Sequence, residues 1–149
     1  MKKIICIVTA LTCSMLLQAQ DSFNFTFNHM ALSVKDVQAS ADFYKKVLLL
    51  TEITNRTGNT TRRWFSLGED KELHLISDLR EPVTINKAVH LALTTKNFDA
   101  FVNRLREMKI TFSDWPGKPG TVNIRADGIK QVFLQDIDGY WIEVNSVKE

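Results

Sequence analysis

The residues whose types and placement could do chemistry are three histidines, His29, His74 and His90, and one late glutamate, Glu143. Neutral imidazole and carboxylate are the donors a borderline divalent cation takes, and three His with one Glu suit Zn, Ni, Co, Mn or Fe, with one or two positions left for water or substrate. A cation in such a site acts as a Lewis acid on a bound oxygen. No helical or loop ligand spacing links the four residues, so the case rests on their joint placement in strands. Alternate strand residues face opposite ways. Met30, Leu32 and Val34 therefore share one side, and His29, Ala31 and Ser33 the other. The same alternation sets Leu73 and Leu75 against Glu72, His74 and Ile76, Leu91 and Leu93 against His90, Ala92 and Thr94, and Ile142 and Val144 against Trp141, Glu143 and Asn145. In all four strands the His or Glu lies on the face that does not pack a helix.

The elements that must position these residues come as an internal repeat. Displaced by 61 residues, His29-Met-Ala-Leu-Ser-Val-Lys-Asp-Val37 lies over His90-Leu-Ala-Leu-Thr-Thr-Lys-Asn-Phe98. Helical spacing follows each copy, through Val37, Ala41, Tyr44 and Leu48 and through Phe98, Phe101, Leu105 and Met108. Asp36 and Asn97 are the expected N-caps, because a short side-chain oxygen there satisfies free amides of the first turn. Strands are expected at 51–55, 62–67 and 72–77, then at 110–113, 121–125, 131–135 and 140–145, separated by Gly-containing turns. Each half reads as βαβββ, giving an α+β fold of paired βαβββ modules at about 25–78 and 86–147, joined by 78–88, where Pro82 stops the ladder. Neither half is large enough to bury much core alone, so the two pack as a single domain over 21–149. The repeat relates His29 to His90 and His74 to Glu143, and a pseudo-twofold axis would bring the four to one point.

At 44% apolar and 24% charged, the composition is that of an ordinary globular protein. Lys2 and Lys3, the apolar run 4–17 and the Leu17-Gln18-Ala19 step read as a signal peptide over residues 1–20, which predicts export to the periplasm or medium. Without Lys2 and Lys3 the chain carries 17 basic against 17 acidic residues, which leaves no basic footprint for nucleic acid and none for a membrane once the signal is removed. Both cysteines, Cys6 and Cys13, fall in that leader, so the mature chain has no thiolate chemistry and no disulfide.

With the His29 segment, Asp42-Phe-Tyr-Lys-Lys-Val-Leu48, Glu72-Leu-His-Leu-Ile76, Val89-His-Leu-Ala-Leu93 and Asp136-Ile-Asp-Gly-Tyr-Trp-Ile-Glu143 together, the chain resembles the vicinal oxygen chelate superfamily from about Phe25 to Asn145. That superfamily includes glyoxalase I, fosfomycin-resistance thiol transferases, methylmalonyl-CoA epimerase, extradiol dioxygenases and bleomycin-resistance proteins. The resemblance implies a cup-shaped, curved mixed sheet with helices outside and a metal in the cup, with His29, His74, His90 and Glu143 as ligands. Bacterial-type glyoxalase I carries a glutamate where this chain has His74. Glu143 is then the candidate base, and His74 a second proton carrier or a ligand only. The reaction implied is that of a metal-dependent lyase or isomerase on a small molecule chelating through two adjacent oxygens. The alternatives are an iron-dependent extradiol-type dioxygenase using His29, His90 and Glu143, and a non-catalytic ligand-binding or resistance protein. Arg63 and Arg125, with Lys130, are candidates to meet an anionic substrate. Trp64 and Trp141 are expected to line the cup, Phe65 to belong to the core, and the 115–120 loop to act as a lid or a plain connection. By analogy with small relatives, a homodimer is expected, in which module one of one subunit meets module two of the other.

Overall fold

In the computed structural model, residues 25–78 and 83–148 are described. The expected signal peptide, with both cysteines, and Pro82 lie outside these residues. The elements run β1 (His29–Ser33), α1 (Val37–Val47), β2 (Glu52–Ile53), β3 (Arg62–Gly68), β4 (Lys71–Ile76), β5 (His90–Thr95), α2 (Phe98–Glu107), β6 (Phe112–Ser113), β7 (Asn123–Ile124), β8 (Lys130–Gln135) and β9 (Trp141–Ser146). They form two sheets, ordered β1-β4-β3-β2 and β5-β9-β8-β6, with β7 added to β8. In each sheet the first strand pairs in parallel with the last, and the other pairs are antiparallel. The fold is α+β, two mixed open sheets with two helices.

Each helix buries one stripe. Ser40, Ala41, Tyr44 and Val47 of α1 are buried, as are Phe98, Val102 and Leu105 of α2. They pack with Leu32, Val34, Leu73, Leu75, Leu91, Ile142 and Val144, the strand residues of the predicted apolar parity, in one cluster spanning both halves. Phe65, at 0% exposure, belongs to this core as expected.

Helix starts and stops explain where the expected boundaries shift. Asp36 caps α1 by accepting from the Gln38 and Ala39 amides at 2.9 and 3.0 Å. Asn97 stands at the same place before α2 but makes no side-chain cap bond. Its backbone is at φ −101°, ψ 38°, whereas Asp36 has the extended conformation (φ −132°, ψ 106°) usual for a capping residue. Both helices close through a residue with positive φ, Leu49 at 55° and Lys109 at 56°. The second closure takes the Ile110 amide to the Leu105 carbonyl at 2.9 Å, so the strand expected from 110 begins only at Phe112. The strand expected over 121–125 is the two-residue β7.

The two halves are joined by the β8–β9 turn. Tyr140 Oη accepts from the Ser33 amide at 3.0 Å and donates to the Ser33 carbonyl at 2.9 Å. Asp138 accepts from the Lys35 amide (2.9 Å) and the Ser40 hydroxyl (2.5 Å), and Asp136 from the Tyr44 hydroxyl (2.7 Å). Burial raises the Asp136 carboxyl above its ordinary range despite that bond, and burial likewise raises the Tyr44 phenol.

Candidate functional site

The pairing register places the four candidate ligands in equivalent positions. In module one His29 lies opposite Glu72 and Ala31 opposite His74; in module two His90 lies opposite Trp141 and Ala92 opposite Glu143. Each module thus presents a histidine on its edge strand, and a second donor diagonally across on the next strand and on the same face. The repeat read from sequence is therefore a repeat of strand register as well.

In module two, His90 Nε2 and Glu143 Oε2 are 3.0 Å apart. His90 Nδ1 donates to the Lys87 carbonyl at 2.9 Å, which leaves the Nε2 lone pair of the neutral ring facing the carboxylate. Two lone pairs meet favourably at that distance only with a proton or a cation between them. Donors bound at 2.0–2.2 Å and right angles to one cation are about 3 Å apart, so the pair fits neighbouring positions around a divalent metal. Its outer partners fit too. A carbonyl behind the imidazole and amides behind the carboxylate are the usual supports of ligating groups. Gln131 Nε2 and Asn145 Nδ2 donate to Glu143 Oε1 at 2.8 and 2.6 Å.

Module one is built differently. The His74 ring is stacked between Trp64 (centroids 4.0 Å, planes 6° apart) and His29 (4.3 Å, 15°), and the Arg56 guanidinium lies over Trp64 at 4.5 Å. His74 Nε2 donates to Glu72 Oε2 at 2.7 Å, and Arg56 Nη2 donates to both Glu72 oxygens. The bond from His74, then that from Arg56, holds the Glu72 carboxyl below its usual range. His29 Nδ1 donates to Asn28 Oδ1 at 2.7 Å. These partners leave one in-plane lone pair on each ring, His29 Nε2 and His74 Nδ1, but rings stacked with planes 15° apart hold those lone pairs in nearly parallel planes, so one ring must turn before both could meet one cation.

Within one chain the two pairs do not meet. Among the described residues, no group of three or more His, Cys, Asp or Glu side chains converges to hold a metal ion. The structure thus brings His29 to His74 and His90 to Glu143.

The walls of the second pair are aromatic. Phe133 and Trp115 meet the His90 ring edge-on, at 5.8 and 6.3 Å. Lys87 Nζ lies over Phe133, Trp141 and Trp115 at 4.6, 4.9 and 5.7 Å. Its three protons are taken by Ser113 Oγ and the Asp114 and Trp115 carbonyls, and burial pushes its ammonium below the usual lysine range. Lys87 thereby fastens the start of the 114–120 loop beside His90, a role sequence reasoning missed because the residue belongs to no repeat. Trp141 is on this wall. Arg63 faces α1, bound to Glu52 and to Gln38 Oε1, and the exposed Arg125 pairs with Asp127 in its own turn. Lys130 pairs with Asp99.

Known proteins share this architecture. The chain is 27% identical over 122 residues to the uncharacterized protein YwbC of Bacillus subtilis (strain 168), an alignment covering 78% of this chain and 93% of that protein. Among solved structures, Oxidase ChaP-H2 superposes with a TM-score of 0.70 at 23% identity, over 83% of this chain and 94% of that one. Lactoylglutathione lyase from Agrobacterium tumefaciens superposes with a TM-score of 0.62 at 19% identity, over 83% and 94%. A family profile matches residues 26–144, nearly all that is described, and by that match the chain belongs to the Glyoxalase/Bleomycin resistance protein/Dioxygenase superfamily.

Proposed function

We propose that the protein is an exported, metal-dependent lyase or isomerase of glyoxalase type, acting on a small molecule that presents two adjacent oxygens. The observation that carries this reading is the His90–Glu143 pair, with Nε2 and Oε2 3.0 Å apart and each group supported from behind. In this reading His29 and His74 of one chain meet His90 and Glu143 of a second chain in a homodimer, because one chain keeps the pairs apart. Strands β1 and β5, which carry the first histidine of each pair, are the outer strands of their sheets, which supports this reading. A bound divalent cation supplies Lewis acidity to a substrate oxygen. The chain's own residues do the rest. Phe133 and Trp141 line one wall, Glu143 is the group to carry a proton, and His74 serves as a ligand or, where it does not ligate, as a second proton carrier.

Metal analysis of the purified mature protein tests the reading. About one equivalent of Zn, Ni, Co or Mn per chain is expected, lost in a His29→Ala, Glu143→Ala double variant. No metal, and no thermal stabilisation on adding it back, would remove the mechanism and favour a non-catalytic binding protein. Iron in the preparation would favour the dioxygenase reading, since His74, clasped by Glu72 and two rings, is the ligand a His29, His90, Glu143 triad omits. Export is tested by N-terminal sequencing of the secreted protein, expected to start near Gln20.

A further inference from the structure

Where the turn after α1 meets α2, the two modules leave a cavity of about 490 Å³, within the range of about 300 to 1,000 Å³ usual for small-molecule sites. Its wall is apolar, with Leu48 and Leu49 from the turn, Leu67 of β3, Leu93 of β5 and Phe101 of α2. Leu67, Leu93 and Phe101 pack against the shared core, and Leu93 has the strand parity of Leu91, opposite to that of His90. The cavity therefore lies on the helix side of the strands, behind the face that carries the candidate ligands. Leu49, 66% exposed, is held at its edge by the positive φ that closes α1. An apolar side chain kept open to water beside such a cavity gains when a ligand covers it.

Among the residues lining the cavity, Arg104 alone is charged. Its Nη2 donates to the Lys46 carbonyl, which places the guanidinium at the end of α1, next to Leu48 and Leu49. Arg56, Arg62, Arg63 and Arg125 each pair with a carboxylate. Arg104 has no acidic partner among the described residues, and its Nε is buried without a hydrogen bond. A guanidinium has five N–H donors and does not give up its charge, so the chain leaves this one under-satisfied beside an apolar wall.

We propose that this cavity is a ligand site separate from the His90–Glu143 pair, taking an unbranched monocarboxylate with its chain along Leu49, Leu67, Leu93 and Phe101 and its head on Arg104. A single unpaired cation at one end of an apolar wall favours an amphiphile with an anionic head over a neutral or cationic one. Carboxylate is the planar anion that a guanidinium fork meets best. A second copy of the chain is a poorer occupant, because a twofold contact of this face with itself brings Arg104 towards Arg104 with no carboxylate of the wall between them. The site needs no metal.

Calorimetric titration of the mature chain with octanoate, octanol and octyltrimethylammonium, all below their micellar concentrations, tests this. Octanoate is expected to bind at one equivalent per chain, about ten-fold or more tightly than the other two. Arg104→Gln is expected to weaken octanoate by about ten-fold and to remove its advantage over octanol. Ala100→Trp, which fills the cavity from an exposed position on α2, is expected to abolish binding of both. His90→Ala, on the other face of the sheet, should bind octanoate as the wild type does. No binding, uptake of many equivalents, or equal affinity for the three head groups overturns the proposal. So does wild-type binding by Ala100→Trp, or loss of binding in His90→Ala, which would put octanoate on the face of the candidate ligands. Should Arg104→Gln fail to fold, the ranking of head groups on the wild type decides together with Ala100→Trp. A failure of any of these leaves the metal content, and with it the metal-site reading, untouched.

Discussion

Arg63 lies one residue from Trp64 and hence on the opposite face of β3, where its guanidinium meets Glu52 and α1. The Arg63 hydrogen bond is the main cause holding the Glu52 carboxyl below its ordinary value of 4.5. A carboxylate whose folded value is depressed contributes stability above its unfolded value and loses it as pH falls through the folded one. Arg63→Met is therefore expected to cost up to about 1 kcal/mol at neutral pH in urea unfolding, with the gap to wild type closing as pH drops below about 4.5. Metal content should not change. In the sequence its charge alone invited a substrate role. What the alternation could not show was Glu52, a partner eleven residues back in sequence. The outer supports of the site were hidden for a similar reason: Lys87 acts through a carbonyl and an ammonium, and Gln131 and Asn145 through amides, groups found anywhere on a chain. The four ligand candidates were legible because strand alternation and the repeat constrain them together.

Helix entry shows how far an element can be read from its residues. Asp36 and Asn97 occupy matching places in the repeat and are both good capping types, but only Asp36 turns its side chain onto first-turn amides. Asp36→Ala is expected to lower stability by about 1 kcal/mol and Asn97→Ala by no more than a few tenths, measured by thermal or urea unfolding. Equal losses would mean that Asn97 caps α2 in solution. The periodicities of 2 and 3.6 gave the order and type of the elements, because each strand and helix buries one side in the shared core. They set the ends less well. The start of β6 is decided by the Lys109 closure, a backbone conformation unusual for lysine, and no apolar pattern encodes it. The junction of the modules was equally silent, since Tyr140, Asp138 and Asp136 reach Ser33, Lys35, Ser40 and Tyr44 across about a hundred residues.

At the scale of the molecule, the decisive question is whether the two ligand pairs meet across chains. The β8–β9 turn ties module two to the start of α1, and in that arrangement no three donors converge among the described residues. If one site needs module one of one chain and module two of another, His29→Ala and His90→Ala each damage every site in their own homodimers. In a mixed dimer the two losses fall on the same site. Module one of the His90→Ala chain and module two of the His29→Ala chain are both intact, and they form one complete site. Random re-pairing after joint unfolding and refolding makes half the dimers mixed, each with one good site of two, so roughly a quarter of wild-type tightly bound metal is expected to return. Size exclusion of the same sample should show a dimer. A chain that closes its own modules would regain no metal on mixing, because every molecule then carries its own lesion.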